Sequence, residues 1–305
     1  MTDDGYEISD TMLDVGDGHV LYVYEWGNKD AKTPIIFLHG GPGSQVKDKH
    51  KSSFNPKKHR VIFFDQRGSG NSTPFGSLEL NTTDNLIEDI SKVADKLSAD
   101  TFILHGSSWG STLALAYALK YPERVEALVI GGVFTGSKAE SDWIDKGKFR
   151  TFFPDVWQAY LDRTPVKYRA NPSAYHFDKV ISGTLEEQKL SGYAYECLES
   201  GVIQLDDRFH ADNLVDHDPS SIRIEMFYLA NGCFMPDRYV LDNATKLTVP
   251  VHIVQGRYDM VCPPQTAYEL HNKLPNSRLY WTLSGHKQEH EGQNIFMAIF
   301  DQLSV

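Results

Sequence analysis

The chain has 305 residues, a length typical of one catalytic-size domain that carries an insertion. Its 41% hydrophobic and 23% charged residues are ordinary for a globular protein and exclude a wholly disordered, collagenous or coiled-coil chain. The formal net charge is −11 and the Lys and Arg residues are scattered, so nucleic acid and anionic membranes are not expected as partners.

The N-terminal segment and the cysteines predict a cytoplasmic location. Residues 1–7 are acidic and lack the cationic and apolar regions of a secretory signal. No apolar run approaches the roughly 18 residues of a membrane-spanning helix. The three cysteines, Cys197, Cys233 and Cys262, have neither zinc nor redox spacing. We therefore expect buried free thiols, and a disulfide is the alternative.

Short runs that are apolar at every position predict strands buried on both faces, as in a parallel sheet covered by helices. Segments with helical spacing of apolar residues alternate with these runs, which predicts an α/β fold. The predicted strands are Ile35–Leu38, Val61–Phe64, Phe102–Leu104, Leu128–Ile130, Val251–Val254 and Arg278–Leu283, and the predicted helices are Asp84–Leu97, Ser111–Tyr121 and Glu291–Leu303.

The pattern changes between the fourth and fifth of these predicted strands. From about Gly136 to Lys246, buried-strand runs disappear, and aromatic and charged residues mix at helical spacing between prolines. We therefore predict a core formed by residues 1–135 and 247–305, interrupted by an inserted helical cap at 136–246.

The segment Gly106-Ser107-Ser108-Trp109-Gly110 matches G-x-S-x-G with Ser108 at its centre. The pattern alone is weak, but it directly follows a predicted strand and directly precedes a predicted helix. That order is typical of a nucleophile elbow, in which a sharp turn exposes the serine hydroxyl. An ordinary Gly-Ser turn between strand and helix is the alternative.

A serine nucleophile needs a histidine base and an acid that orients the base, and both follow the serine along the chain in this arrangement. His286 comes just after the last predicted strand on a glycine-containing loop, so it is the predicted base, with His290 in reserve. His252 and His271 lie within a strand and a helix, where packed or solvated histidines are ordinary. Asp259 follows the preceding strand and is the predicted acid; a plain loop aspartate is the alternative.

Acyl transfer also needs hydrogen-bond donors for the developing oxyanion, usually backbone N–H groups. The elbow supplies one from Trp109, and the glycine-rich segment 39–43 after the first buried strand is expected to supply the second from Gly41. This segment lacks the spacing of a dinucleotide fingerprint or a P-loop, and no His, Cys or carboxylate cluster has metal-site spacing. We therefore expect neither a cofactor nor a metal.

These residues resemble the proline iminopeptidases, serine exopeptidases of the α/β-hydrolase fold that remove an N-terminal proline. The similarity runs from about residue 10 to the end. It rests on several segments that agree in order and spacing: His39-Gly40-Gly41-Pro42-Gly43, Asp65-Gln66-Arg67-Gly68-Ser69-Gly70-Asn71-Ser72, Asn81-Thr82-Thr83, the run from Ser108 to Tyr117, Gly256-Arg257-Tyr258-Asp259 and Ser284-Gly285-His286.

The resemblance extends into the cap, where it implies substrate-binding residues. The Tyr195-Glu196 pair is similar to the family's Trp-Glu segment, and Arg223-Ile224-Glu225 is similar to its Arg-Ile-Glu segment. The resemblance implies that Glu196 and Glu225 bind the free amino terminus of the substrate. A charged amine that enters a drying pocket needs such carboxylate partners. Phe134 is implied as a wall of the proline pocket, whereas Tyr195 stands where the family usually has Trp.

The sequence therefore predicts a cofactor-free serine aminopeptidase that prefers N-terminal proline on short peptides with a free N-terminus. A carboxylesterase, amidase or lactonase on the same scaffold is the alternative. A catalytically silent binding module is a third hypothesis, from another functional class. The oligomeric state is not determined by the sequence.

Overall fold

The computed structural model describes residues 1, 4–205 and 218–303. Within these residues the chain forms an eight-stranded sheet in the order β1-β2-β4-β3-β5-β6-β7-β8. Strands β3 to β8 are parallel, and β1 and β2 add an antiparallel hairpin at one edge. The strands are β1 (Glu7–Gly16), β2 (His19–Gly27), β3 (Ile35–Leu38), β4 (Arg60–Phe64), β5 (Phe102–Ser108), β6 (Val125–Val133), β7 (Val251–Gly256) and β8 (Ser277–Thr282).

Each short apolar run of the sequence forms the strand that was predicted from it. In β3, alternate residues point to opposite faces, so that Ile36 and Leu38 join one core cluster while Ile35 and Phe37 join another. The sequence prediction missed β1 and β2. In β1 most side chains are at least partly exposed, because it is an antiparallel edge strand with no neighbour on one side. It therefore lacks the continuous apolar run that marked the other strands.

Helices cover both faces of the sheet, which confirms the predicted α/β fold class. One core cluster includes residues of α1, α2 and α9, and the cluster on the opposite face includes residues of α10. The helices are α1 (Thr83–Lys96), α2 (Trp109–Lys120), α3 (Lys138–Asp145), α4 (Pro154–Asp162), α5 (Pro172–Ser182), α6 (Leu185–Ser200), α7 (Ser220–Ala230), α8 (Tyr239–Asn243), α9 (Pro264–Lys273) and α10 (Glu289–Leu303).

Between β6 and β7 the described residues form helices joined by turns and no strand, and much of this region has a hydrophobic cluster of its own. That cluster draws on α3 to α7 and runs from Ile144 to Met226. Val240, Leu241 and Ala244 pack instead with the cluster beneath the sheet. The domain limits of 136–246 remain a prediction.

Candidate active site

The carboxyl ends of the parallel strands bring the predicted site residues together. Ser108 is the last residue of β5, Asp259 lies just after β7, and His286 lies just after β8. Parallel strands end at the same edge of a sheet, where loops from neighbouring strands meet. Residues that are far apart in sequence therefore face one another across this edge.

The turn at Ser108 has the geometry of a nucleophile elbow. Ser108 has φ 57° and ψ −130°, a backbone conformation that side chains rarely adopt, and α2 begins at the next residue. The flanking glycines permit this sharp turn. A Cβ at Gly106 would lie 2.5 Å from the Gly110 carbonyl, and one at Gly110 would lie 2.1 Å from the Leu38 oxygen. Any larger residue at either position would push the strand and helix apart.

Asp259 and His286 are hydrogen-bonded as an acid–base pair. The Nδ1 atom of His286 lies 2.9 Å from Oδ2 of Asp259. The other carboxylate oxygen, Oδ1, accepts the backbone N–H groups of Val261 at 3.0 Å and Cys262 at 2.7 Å. Because an ionised carboxylate only accepts, Nδ1 carries the proton and Nε2 is left with the lone pair that a general base needs.

A buried glutamine in β7 holds Asp259 in place, and sequence reasoning missed it. Gln255 is fully buried, and its Nε2 donates to Asp259 Oδ2 and to the Cys262 carbonyl, each at 3.1 Å. Its Oε1 accepts the Val133 N–H at 2.8 Å, which fixes the orientation of the amide. A polar residue inside an otherwise apolar strand was the available signal, since buried amides need partners.

The environment of His286 favours its protonated form. Burial by itself disfavours the imidazolium, but the Asp259 charge and the hydrogen bond that His286 donates to Asp259 outweigh burial, and Glu199 adds to their effect. The pKa of His286 is therefore raised above its usual value of 6.5. An imidazole stabilised as imidazolium suits a residue that must hold a proton during the reaction.

Ser108 and the buried thiol of Cys262 line the same small recess. Among the described residues Ser108 forms no side-chain hydrogen bond with His286, although both line the same cavity. Catalytic hydrogen bonds are often formed only when substrate is bound. Burial, followed by the Asp259 charge, raises the pKa of Cys262 well above its usual value, so this thiol is neutral.

The predicted oxyanion donors belong to two segments joined by a buried hydrogen-bond network. The Trp109 Nε1 donates to Gln66 Oε1 at 3.0 Å, and Gln66 Nε2 donates to the His39 carbonyl at 2.9 Å. The Gln66 N–H donates to His39 Nε2 at 2.9 Å, so His39 carries its proton on Nδ1, next to the Gly40 carbonyl. Burial lowers the pKa of His39 and keeps it neutral. The network ties the loop that contains Gly41 to the start of α2, where Trp109 is the first residue.

A cavity of about 540 Å³ opens beside Ser108. Gly41, Ser108 and His286 line one side, and helices α6 and α7 of the cap line the other. The carboxylate-bearing residues of its wall are Glu196, Glu199, Asp218 and Glu225, and Lys47 lies in the loop after β3. Both glutamates predicted for the substrate amine therefore face the cavity that contains the predicted nucleophile.

The cavity also contains Glu199, which sequence reasoning missed. It lies three residues after Glu196 and so on the same face of α6. Glu196 is exposed, whereas Glu199 is partly buried and lines both the cavity and a smaller recess together with Glu225 of α7. The signal in the sequence was the i, i+3 spacing from Glu196, but that spacing does not show which glutamate faces inward.

A smaller recess of about 40 Å³ adjoins Ser108 and is lined by Phe134 as predicted. Its other apolar walls are Ile144, Tyr195, Leu229 and Val261, and Glu199 and Glu225 lie at its edge. A volume of this size holds only a few atoms, which favours a small ring or side chain. Tyr195, which stands where the sequence resemblance implies Trp, is buried and forms part of this wall.

The structure also places the alternative base and the three cysteines. The alternative base, His290, is exposed on α10, whereas His286 contacts Asp259. All three cysteines are free and buried, which confirms that prediction. Within the described ranges, no group of three His, Cys, Asp or Glu side chains could hold a metal ion. None of the helices described is long and apolar enough to cross a bilayer.

Comparisons with known proteins agree on the α/β-hydrolase fold and on proline iminopeptidases as relatives. A family model for the α/β-hydrolase fold matches residues 33–285. The proline iminopeptidase of Arabidopsis thaliana is 38% identical over 274 residues, covering 88% of this chain and 72% of the relative. The proline iminopeptidase of Xylella fastidiosa (strain Temecula1) is 37% identical over 290 residues, covering 93% and 92%.

Solved structures agree on the fold. A proline iminopeptidase from Mycobacterium smegmatis superposes with a TM-score of 0.63 at 21% identity, covering 97% of both chains. An esterase from Exiguobacterium antarcticum superposes with a TM-score of 0.62 at 20% identity, covering 97% of this chain and 99% of the esterase. At such identities the similarity extends to the fold alone.

Proposed function

This chain belongs to the proline iminopeptidase family of α/β-hydrolase-fold enzymes, and on that premise we propose that it releases an N-terminal residue, preferentially proline, from short peptides. One observation carries the proposal: a single cavity holds Ser108, His286 and the cap glutamates. A nucleophile supplies hydrolysis, and carboxylates at a short distance from it supply recognition of a free amine.

In the proposed mechanism, Ser108 attacks the carbonyl carbon of the first residue. His286 Nε2 takes the serine proton, and Asp259 stabilises the resulting imidazolium through its 2.9 Å hydrogen bond to Nδ1. The backbone N–H groups of Gly41 and Trp109 stabilise the oxyanion. The imidazolium then protonates the leaving amine, and the acyl-enzyme is hydrolysed by a water that His286 activates in the same way.

Selection for the N-terminal residue is supported by the arrangement of the cap. The carboxylates of Glu196, Glu199 and Glu225 would hold the ammonium group, and the recess beside Phe134 would hold the side chain or ring. Because both groups of contacts lie close to Ser108, only the first peptide bond reaches the nucleophile. A neutral, acylated N-terminus would leave these carboxylates without a cationic partner.

The proposal is tested by kcat/KM for prolyl, alanyl and N-acetyl-prolyl naphthylamides and a short-chain nitrophenyl ester, with Ser108→Ala as the blank. We expect the prolyl compound to be the best amide substrate, its N-acetyl form to be inert and the blank to be inactive but folded. If the protein hydrolyses only the ester, the proposed peptidase activity is wrong, and a carboxylesterase, amidase or lactonase activity takes its place. Full activity of Ser108→Ala would refute the mechanism altogether.

The natural substrates proposed here are short peptides with a free N-terminus, because the cap covers the nucleophile and would exclude folded chains. The cytoplasmic location remains a proposal, and it is supported by the three cysteines, which are all free and buried. Fractionation of the source cells with an antibody to this chain would test it.

A further inference from the structure

The peptide unit between Gly40 and Gly41 carries one of the two proposed oxyanion donors, the N–H group of Gly41. Gly40 and Gly41 both line the cavity, and a Cβ at Gly40 would lie 3.4 Å from the Cβ of Ser108. Within the described residues the Gly41 N–H has no hydrogen-bond partner. This N–H group is therefore close to the nucleophile and available to a substrate oxygen.

The backbone on its own does not fix the direction of this N–H. A peptide unit between two glycines meets little steric resistance to turning over, because neither residue has a Cβ. Gly41 has φ 107°, in the region that favours glycine, and a Cβ there would lie 2.8 Å from the backbone nitrogens of Gly43 and Ser44. If the unit turned over, the Gly40 carbonyl would face the cavity in place of the Gly41 N–H. A further contact is needed to hold the unit in the productive orientation.

The imidazole ring of His39 makes that contact. Its Nδ1 atom lies 2.9 Å from the carbonyl oxygen of Gly40. In a trans peptide unit the C=O and N–H groups point in opposite directions. His39 is 1% exposed and does not line the cavity, whereas Gly41 does. Because the Gly40 carbonyl is turned toward the buried ring, the Gly41 N–H is turned toward the cavity.

The Nδ1 atom can donate only in one tautomer of the neutral ring, and Gln66 selects that tautomer. The Gln66 N–H donates to His39 Nε2 at 2.9 Å, so Nε2 holds the lone pair and Nδ1 the hydrogen. An imidazolium would place an N–H against the Gln66 N–H. Burial lowers the pKa of His39 and so disfavours that form.

The side chain of Gln66 holds His39 from a second direction. Its Nε2 donates to the His39 carbonyl at 2.9 Å, and its Oε1 accepts the indole N–H of Trp109 at 3.0 Å. Gln66 is 1% exposed, so none of these bonds competes with bulk water. One buried residue therefore fixes both the position and the tautomer of His39.

We propose that His39 is a positioning residue for the oxyanion hole: its Nδ1–H holds the Gly40 carbonyl, so that the Gly41 N–H faces the substrate carbonyl oxygen. Gln66 keeps His39 in the tautomer that this requires. His39 contacts no substrate atom in this role. The inference rests on the proposed function, which supplies the oxyanion, but it needs only acyl transfer to Ser108 and no preference for proline.

Two substitutions separate the two hydrogen bonds of the ring. His39→Asn places an amide N–H near the position of Nδ1, where it can still donate to the Gly40 carbonyl, but the Gln66 N–H loses its acceptor. His39→Gln places an amide oxygen near the position of Nε2, where it can still accept from Gln66, but the Gly40 carbonyl loses its donor. Each variant leaves one buried backbone group unpaired, so both should lower Tm by a similar amount.

The kinetic test uses the nitrophenyl ester as substrate. Formation and hydrolysis of the acyl-enzyme both pass through an oxyanion, so kcat reports the oxyanion hole whichever step limits the rate. We expect His39→Gln to lower kcat by about 10²–10³-fold, the loss that follows removal of one oxyanion donor, with little change in KM. His39→Asn should lose less than about tenfold. Equal losses of kcat in the two variants would overturn the inference.

A boronic acid reports on the oxyanion hole directly. A short alkyl boronic acid forms a tetrahedral adduct with the Ser108 hydroxyl, and the charged oxygen of that adduct needs the same donors as the transition state. Its Ki should rise at least about tenfold more in His39→Gln than in His39→Asn. The pH midpoint of ester kcat/KM should stay at the wild-type value in both variants, because His286 is not altered. Equal Ki values in the two variants would remove His39 from this role.

Nuclear magnetic resonance tests the tautomer without reference to activity. Long-range ¹H–¹⁵N correlation spectra of the full chain distinguish the two neutral tautomers and the imidazolium, and the signal missing from the His39→Asn spectrum identifies residue 39. We expect the Nδ1–H tautomer near neutral pH. An Nε2–H tautomer or an imidazolium would overturn the inference and leave the peptidase proposal intact. Ser108-dependent turnover of the ester without turnover of the prolyl naphthylamide would instead refute the peptidase proposal alone, and turnover of neither substrate would refute both.

Discussion

Replacing Asp259 by Asn tests the orientation of the proposed base, because the backbone dictates how the new amide must lie. The Val261 and Cys262 N–H groups both donate to Asp259 Oδ1, at 3.0 and 2.7 Å. An Asn with its NH₂ group in that position would leave both backbone donors unpaired, at a cost of about 1–3 kcal/mol each. The amide oxygen must therefore take the Oδ1 position, and the NH₂ group must take that of Oδ2.

The NH₂ group would then face His286 Nδ1, which lies 2.9 Å from the present Oδ2. To accept this N–H, His286 must move its proton from Nδ1 to Nε2, and an Nε2–H tautomer cannot accept the proton of Ser108. Gln255 cannot relieve the conflict by turning its amide over, because Val133 N–H and the Cys262 carbonyl fix its orientation. We expect kcat/KM to fall by about 10⁴-fold, which corresponds to about 5.5 kcal/mol of transition-state stabilisation.

The assay is kcat/KM of Asp259→Asn on the prolyl naphthylamide and on the nitrophenyl ester, with thermal unfolding measured in parallel. Both substrates should lose activity to a similar degree, since both depend on the same base. Asp95→Asn is a control, because it removes an exposed carboxylate that is paired with Arg124 far from the cavity. A loss of less than tenfold in a folded Asp259→Asn protein would refute the tautomer argument.

Two further predictions concern pH and pocket size. The pKa of His286 is raised above 6.5, and the neutral imidazole is the active form of the base. We therefore expect kcat/KM for the neutral ester to rise with pH through a midpoint above 6.5. A midpoint below 6.5 would contradict the effect of Asp259 on the pKa of His286. Phe134→Ala removes one wall of the recess and should lower the ratio of kcat/KM for the prolyl naphthylamide to that for the leucyl naphthylamide by about tenfold. Phe152→Ala, at an exposed cap position, is the control and should leave this ratio unchanged. Equal ratios in both variants would exclude Phe134 from the wall of the recess.

Much of the fold could be predicted from local patterns. Strands β3 to β7 are mostly buried, so each carries an apolar run that can be recognised without knowledge of its neighbours, whereas β8 at the other sheet edge is mostly half-buried. Strands β1 and β2 could not be recognised in that way. The side chains of β1 are mostly at least partly exposed, and it becomes a strand because it pairs with β2 at the sheet edge.

The positions of Ser108, Asp259 and His286 could also be predicted, since each directly follows a recognisable strand. Local order along the chain therefore determined which residues meet at the carboxyl edge of the sheet. Gln255 was not predicted, because its role depends on Val133 and Asp259, which belong to different strand ends. A buried amide shows in the sequence only as an isolated polar residue.

The cap illustrates the remaining difference between sequence and structure. Residue types and helical spacing place Glu196 and Glu199 on one face of α6, but they do not show which of them is directed toward α7. That depends on how the two helices pack through the cluster from Ile144 to Met226, which brings Glu199 and Glu225 to the same cavity. Local sequence patterns thus determined the strands, the elbow and the order of the triad residues. The meeting of Glu199 and Glu225 at one cavity results from packing between helices that are distant along the chain, because neighbours in space are not encoded in local patterns.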